Sequence, residues 1–186
     1  MRIIAGRFKG KPLVAPQGHG TRPTSDRVRE ALFNVLTHGD AAVRMEELRI
    51  LDLFSGSGAL GLEALSRGAG YCLFVEDEPR ARAAIRRNVE TLGLTGATKI
   101  WRRDATRLGQ AGTLKPFDLV FCDPPYSKGL GGQALHAALE GGWLSPGAVA
   151  VLEERAGEPP GWPSRFDEID ARRYGDTAIA IARLGA

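Results

Sequence analysis

Short apolar runs alternate with stretches of helical spacing through most of this 186-residue chain. Residues 49–54 (RILDLF), 71–76 (YCLFVE), 98–104 (TKIWRRD), 117–123 (FDLVFCD) and 148–154 (AVAVLEE) read as five strands. Helices are expected over residues 59–67, over 79–92, where Ala81, Ala84, Ile85 and Val89 turn inward, and near 132–140. Strands separated by helices imply parallel βαβ units with right-handed crossovers. The end of the chain breaks this rhythm. Residues 165–184 give two strands about Tyr174-Gly175-Asp176, a hairpin that closes the sheet antiparallel. The expected fold class is α/β, with a mostly parallel sheet.

The first 40 residues follow another pattern. Two short β-like runs flank GRFKG at 6–10, a glycine turn, and residues 17–24 form a loop centred on Arg22. Ser25 suits an N-cap with Asp26 in the first turn, and Val28, Ala31, Leu32, Val35 and Leu36 then share one apolar helix face. Residues 1–40 are expected to be an extension rather than an independent domain, with 41–186 forming the main body.

Charge sharpens that division. Residues 1–30 carry Arg2, Arg7, Lys9, Lys11, Arg22, Arg27 and Arg29 against Asp26 and Glu30. The net charge of the whole chain is only +3, so the remainder is slightly acidic. A basic segment on a near-neutral body suggests a polyanionic partner. There is no long apolar run for a membrane span and no signal-peptide pattern, so a cytoplasmic location is expected. Cys72 and Cys122 stand in apolar contexts as small buried hydrophobes, and neither has zinc-like neighbours. His19, His38 and His136 are scattered, and no metal is expected.

Candidate chemistry starts at Gly56-x-Gly58-x-x-Gly61, at the turn from the first strand into the first following helix. With 24 glycines in the chain the spacing alone is weak. Its place at a strand-to-helix turn, with Glu76 ending the next strand, is where a nucleoside-containing cofactor and its ribose acceptor belong. A nicotinamide dinucleotide would set its pyrophosphate on the helix end. S-adenosylmethionine has no phosphate and needs an acceptor for its ammonium group, a role open to Asp52, while Asp104 could accept from an adenine amine. The competing structural roles are a loop-bonding acid for Asp52 and a turn cap for Asp104.

Asp123-Pro124-Pro125-Tyr126 ends the fourth strand, where ligands bind in open parallel sheets. Neither proline can donate to a ladder, so the corner is stiff and rich in acceptors. An exocyclic nucleobase amine is a poor nucleophile because its lone pair is delocalised. The Asp123 carboxylate and the Pro124 carbonyl can accept its hydrogens and localise that pair for attack on a sulfonium methyl, while Tyr126 offers a stacking face worth about 1–3 kcal/mol.

Residues 2–13 (RIIAGRFKGKPL), 21–36 (TRPTSDRVREALFNVL), 51–69 (LDLFSGSGALGLEALSRGA) and 174–181 (YGDTAIAI) resemble the bacterial 16S rRNA guanine-N2 methyltransferase family, methyltransferase D of the small subunit. The resemblance runs nearly end to end. It implies a Rossmann-like class I methyltransferase fold with a seven-stranded sheet and a small N-terminal hairpin-and-helix extension. It also implies methyl transfer from S-adenosyl-L-methionine, leaving S-adenosyl-L-homocysteine, to a guanine N2 of 16S rRNA in the small ribosomal subunit or its late assembly intermediate.

By motif position, Asp52, Ser55, Gly56 and Gly58 would hold the methionine part. Glu76 and Asp77 would take the ribose, Asp104 and Ala105 the adenine, and Asp123, Pro124 and Tyr126 the target base. Arg2, Arg7, Lys9, Lys11, Arg22 and Arg27 would grip RNA. Two features depart from common members: some have Phe at the position of Tyr126, and EDEP at 76–79 replaces a more usual acid-then-lysine run. No membrane partner is expected, and a monomer is the default. The rival readings are an adenine-N6 methyltransferase on RNA or DNA, a dinucleotide-dependent oxidoreductase, and a non-catalytic RNA-binding assembly factor.

Overall fold

The computed structural model describes residues 1–16, 25–126 and 129–185. Its seven strands are β1 (Arg49–Leu53), β2 (Tyr71–Val75), β3 (Thr98–Trp101), β4 (Phe117–Cys122), β5 (Leu144–Arg155), β6 (Phe166–Tyr174) and β7 (Thr177–Leu184). They form one sheet in the order β3-β2-β1-β4-β5-β7-β6. Neighbours among β1 to β5 are parallel, and β7 runs antiparallel to both β5 and β6. Chain order reverses at β1 and β4, which opens a crevice beyond their carboxyl ends.

Among the described residues four helices cover the sheet: α1 (Asp26–His38), α2 (Ala59–Ser66), α3 (Pro79–Thr91) and α4 (Leu130–Glu140). Period-2 alternation in the strands divides the interior into two cores. Ile50, Phe74, Phe121, Val151 and Ile181 pack with Phe33 and Leu36 of α1, Leu62 and Leu65 of α2, and Ile85 and Val89 of α3. Leu53, Val75, Val120, Cys122 and Leu152 pack on the opposite face with Ala134, Leu135 and Trp143. Both cysteines are free and buried. Among the described residues no helix is long and apolar enough to cross a membrane.

The N-terminal segment folds back on itself about the expected 6–10 turn, with Gly6 and Gly10 at φ 80° and 82°. Among the described residues it has a single antiparallel bridge, Arg2 with Pro12. Backbone bonds cross the hairpin from Ile3 N to Lys11 O at 2.9 Å, Gly10 N to Ile3 O at 2.9 Å and Leu13 N to Met1 O at 3.0 Å, and side chains of the helices hold further groups. Glu63, fully buried in α2, accepts from Ile4 N at 2.8 Å and Ala5 N at 3.0 Å. Ser66 donates to Ala5 O at 2.6 Å and accepts from Phe8 N at 3.0 Å. Asn88 of α3 accepts from Val14 N at 2.8 Å and donates to Val14 O at 3.0 Å. Ile3 and Leu13 join the core of the α1 face. α1 begins as expected, with the Ser25 hydroxyl accepting from Val28 N at 3.2 Å.

Candidate active site

β1 carries Asp52, buried beneath the loop, and the chain then turns sharply, with Phe54 held at φ 56°, a left-handed conformation a bulky side chain rarely adopts. The Ser55 hydroxyl closes the turn by donating to Asp52 O at 2.5 Å and to Val75 O at 3.2 Å. The three glycines of the loop are explained locally. Gly56 and Gly58 have φ of 57° and 78°. At Gly61 a β-carbon would lie 2.6 Å from Cys72 Sγ, so α2 could not approach β2.

The amides of the three glycines are already engaged. Gly56 N donates to Glu76 Oε2 at 2.8 Å, Gly58 N to Ser55 O at 2.7 Å, and Gly61 N to Asp52 Oδ2 at 3.0 Å. Two of these acceptors are carboxylates, so negative charge already sits at the turn where a dinucleotide would set its pyrophosphate. Asp52 is buried, which pushes its carboxyl well above the ordinary range; the Gly61 bond opposes that rise and the Glu76 charge adds to it.

A cleft of about 560 Å³ opens beside the loop, lined by Phe54, Val75, Glu76, Asp77, Glu78, Pro79, Arg103, Asp104, Ala105, Thr106, Pro125 and Leu130. Four acids face one base, so it favours a cation and repels phosphate. Glu76 also accepts from Glu78 N at 2.9 Å, and Arg82 donates to the carbonyls of Glu76 and Asp77, fixing the loop after β2.

Asp104 caps the short 3₁₀ turn Ala105–Arg107 instead of closing β3, which stops at Trp101. Its Oδ1 accepts from Thr106 N at 2.8 Å and Thr106 Oγ1 at 2.7 Å. Those bonds pull its carboxyl below the usual range. The turn-cap role is therefore the one observed, and it leaves Asp104 on the cleft wall.

Glu76, Asp77, Asp104 and Ala105 thus share the cleft, whereas Asp52, Ser55, Gly56 and Gly58 lie in the loop beside it. Asp123 and Pro124 follow β4 directly, and Pro125 reaches the cleft wall. Tyr126 is half-buried, with its hydroxyl 2.8 Å from Thr177 Oγ1 and donating to Glu153 Oε1 at 3.2 Å. Burial is the main cause that raises its phenol pKa. The tyrosine tip is therefore anchored to β5 and β7.

Arg7, Lys9, Lys11 and Arg27 are exposed; Arg2 is also exposed and lies 3.7 Å from Asp26. Arg22 lies outside the described residues, as does His19. Arg29, counted above with the basic surface, is fully buried: its guanidinium donates to Arg2 O and Asp26 Oδ1, and burial lowers its pKa. Pattern reading also passed over Phe54 and Arg103 on the cleft wall. A bulky residue between an acid and a glycine loop was the available signal for Phe54. Among the described residues no group of three or more His, Cys, Asp or Glu is placed to hold a metal ion.

The sequence profile of the family described as Conserved hypothetical protein 95 matches residues 1–183. Ribosomal RNA small subunit methyltransferase D of Escherichia coli K12 is 39% identical over 153 residues, 82% of this chain and 74% of that protein. The Haemophilus influenzae protein of the same name is 37% identical over 177 residues, 94% of this chain and 89% of its own. The solved structure of the Escherichia coli protein yhhF matches 100% of this chain and 98% of its own length, with a TM-score of 0.83 and 32% identity. An RNA methyltransferase from Salinibacter ruber, solved in complex with S-adenosyl-L-homocysteine, shares the fold at a TM-score of 0.63 and 17% identity, over 88% of this chain and 94% of that one.

Proposed function

This chain belongs to the conserved hypothetical protein 95 family and to the small-subunit ribosomal RNA methyltransferase D group, and from that membership we propose that it methylates the exocyclic N2 of one guanine in 16S rRNA with S-adenosyl-L-methionine as donor. The observation that carries this reading is the acid-lined cleft beside a loop whose three glycine amides are already bonded. Such a pocket suits a sulfonium-bearing nucleoside and is hostile to a dinucleotide.

S-adenosyl-L-methionine, when bound, supplies an electrophilic methyl carbon. Glu76 and Asp77 would accept from its ribose hydroxyls, Asp104 and Ala105 would hold its adenine, and Asp52, Ser55, Gly56 and Gly58 would hold its methionine part. Each carboxylate oxygen carries two lone pairs, so the bonds described above leave Glu76 and Asp104 with capacity for a ligand. Asp123 and the Pro124 carbonyl receive the hydrogens of the guanine amine and localise its lone pair, while Tyr126 stacks on the base. The amine's proton becomes acidic as the methyl arrives, so Asp123 needs to position more than to abstract.

Residues 1–40 act as the RNA-contacting extension of a methyltransferase domain at 41–186. Arg2, Arg7, Lys9, Lys11, Arg22 and Arg27 meet phosphates of the small subunit or its late assembly intermediate. The guanine must be offered from a loop or flipped, because an amine inside a stack is unreachable. The protein works in the cytoplasm as a monomer.

The test is transfer of labelled methyl to purified small subunits lacking the modification, followed by nucleoside digestion. N2-methylguanine at one site is expected. Labelled N6-methyladenine, or no incorporation, overturns the proposal.

A further inference from the structure

We propose that Glu153 selects guanine over adenine by accepting the N1–H that adjoins the amine received by Asp123 and Pro124. The inference rests on the guanine reading above and adds to it the residue that enforces the choice of base.

Cys122 of β4 pairs in register with Leu152 of β5, so Asp123 and Glu153 are the next residues on two adjacent parallel strands. Neighbouring strands lie about 4.8 Å apart, which sets two carboxylates side by side at the edge of the crevice. Two positions earlier, Phe121 and Val151 both face the core beneath α1. Period 2 sends the Glu153 side chain to that same face. Only 8% of Glu153 is exposed, in a strand whose same-face neighbours Val149 and Val151 are apolar. A nearly buried acid at this point is an acceptor held in place by donors.

One donor is the hydroxyl of Tyr126, at 3.2 Å. The ring proposed to stack on the base therefore has its tip on Glu153, and Thr177 steadies that tip at 2.8 Å. The charges of Asp123 and Glu153 both act on the Tyr126 hydroxyl, with burial the larger influence. A base lying on this ring, with its amine at Asp123, turns its N1 edge toward Glu153.

Guanine presents two donors in a row on that edge, N1–H and the N2 amine. Adenine presents its N6 amine beside an unprotonated N1, whose lone pair would face a carboxylate. A site built to hydrogen-bond a substrate N–H rejects the analogue that lacks it far more strongly than an apolar pocket can.

The experiment uses small subunits carrying either guanine or 2,6-diaminopurine at the target nucleotide. Diaminopurine keeps the N2 amine but has no proton on N1. For the wild-type protein kcat/KM on guanine should exceed that on diaminopurine by about 10²-fold or more. In Glu153→Gln the carboxamide can donate to N1 as well as accept, and the ratio should fall to within about tenfold while the Kd for S-adenosyl-L-methionine stays unchanged. Equal rates on both bases with wild-type protein, or the same ratio in both proteins, overturns the assignment. Should Glu153→Gln fail to fold, the wild-type ratio alone decides. Loss of methylation on guanine itself would instead remove the reading on which this one rests.

Discussion

Asp52 accepts a backbone hydrogen from Gly61 at 3.0 Å while 2% exposed, and burial raises its carboxyl pKa well above the ordinary range. A carboxyl raised in the folded state binds its proton more tightly there than in the unfolded chain. The stability from this group is full below the unfolded pKa and is lost as pH rises toward the folded one. An incoming ammonium group prefers the ionised form, so donor binding should expel the proton. The Kd for S-adenosyl-L-methionine, followed calorimetrically, should fall with rising pH across the Asp52 titration, and Asp52→Asn should flatten that dependence. At the acceptor corner, Asp123→Ala should lower kcat by about 10²-fold or more with donor affinity intact, since it removes positioning rather than binding. Full residual turnover would exclude the mechanism. Tyr126→Phe keeps the ring and loses the bonds to Glu153 and Thr177, and single-turnover rates should drop less than for Tyr126→Ala.

Elements from residue 49 onward were legible because their apolar spacing is local. β1, β2 and β4 match RILDLF, YCLFVE and FDLVFCD to within a residue or two, and β6 and β7 form the expected hairpin. The N-terminal hairpin was legible from its glycines and apolar runs, and Ile3, Lys11, Met1 and Leu13 bond across it. Its docking was not, because Ile4, Ala5 and Val14 bond to Glu63 and Asn88, partners 58 to 74 residues distant. No local pattern encodes such pairs. Asp104 was ambiguous for a related reason, because an acid two residues before a threonine caps a turn as readily as it meets a ligand. Glu153 lay hidden in AVAVLEE, where alternation marks a strand without saying that its end meets Tyr126. The clasp on the N-terminal segment can be tested directly. Glu63→Ala removes the acceptor of two amides and the partner of Arg67 at 2.8 Å, and denaturant unfolding should show a loss of about 3–5 kcal/mol.

Across the whole molecule, positive charge collects at one end of the sequence, and the fold keeps Arg7, Lys9, Lys11 and Arg27 exposed on a body that is otherwise near neutral. If these side chains meet phosphates, neutralising Arg7, Lys9 and Lys11 together should weaken binding to small subunits and flatten the slope of log K against log salt by about 2–3 units. Donor affinity should not change. An unaltered slope in the titration would remove this surface from the interface.

The long reach of the Asn88 bond to Val14 also has a consequence for biosynthesis. Val14 is translated 74 residues before its partner. At about 5–20 residues per second, several seconds pass before the side chain that secures it exists. During that interval Glu63 and Ser66 can already hold the start of the arm, while Val14 still lacks its partner.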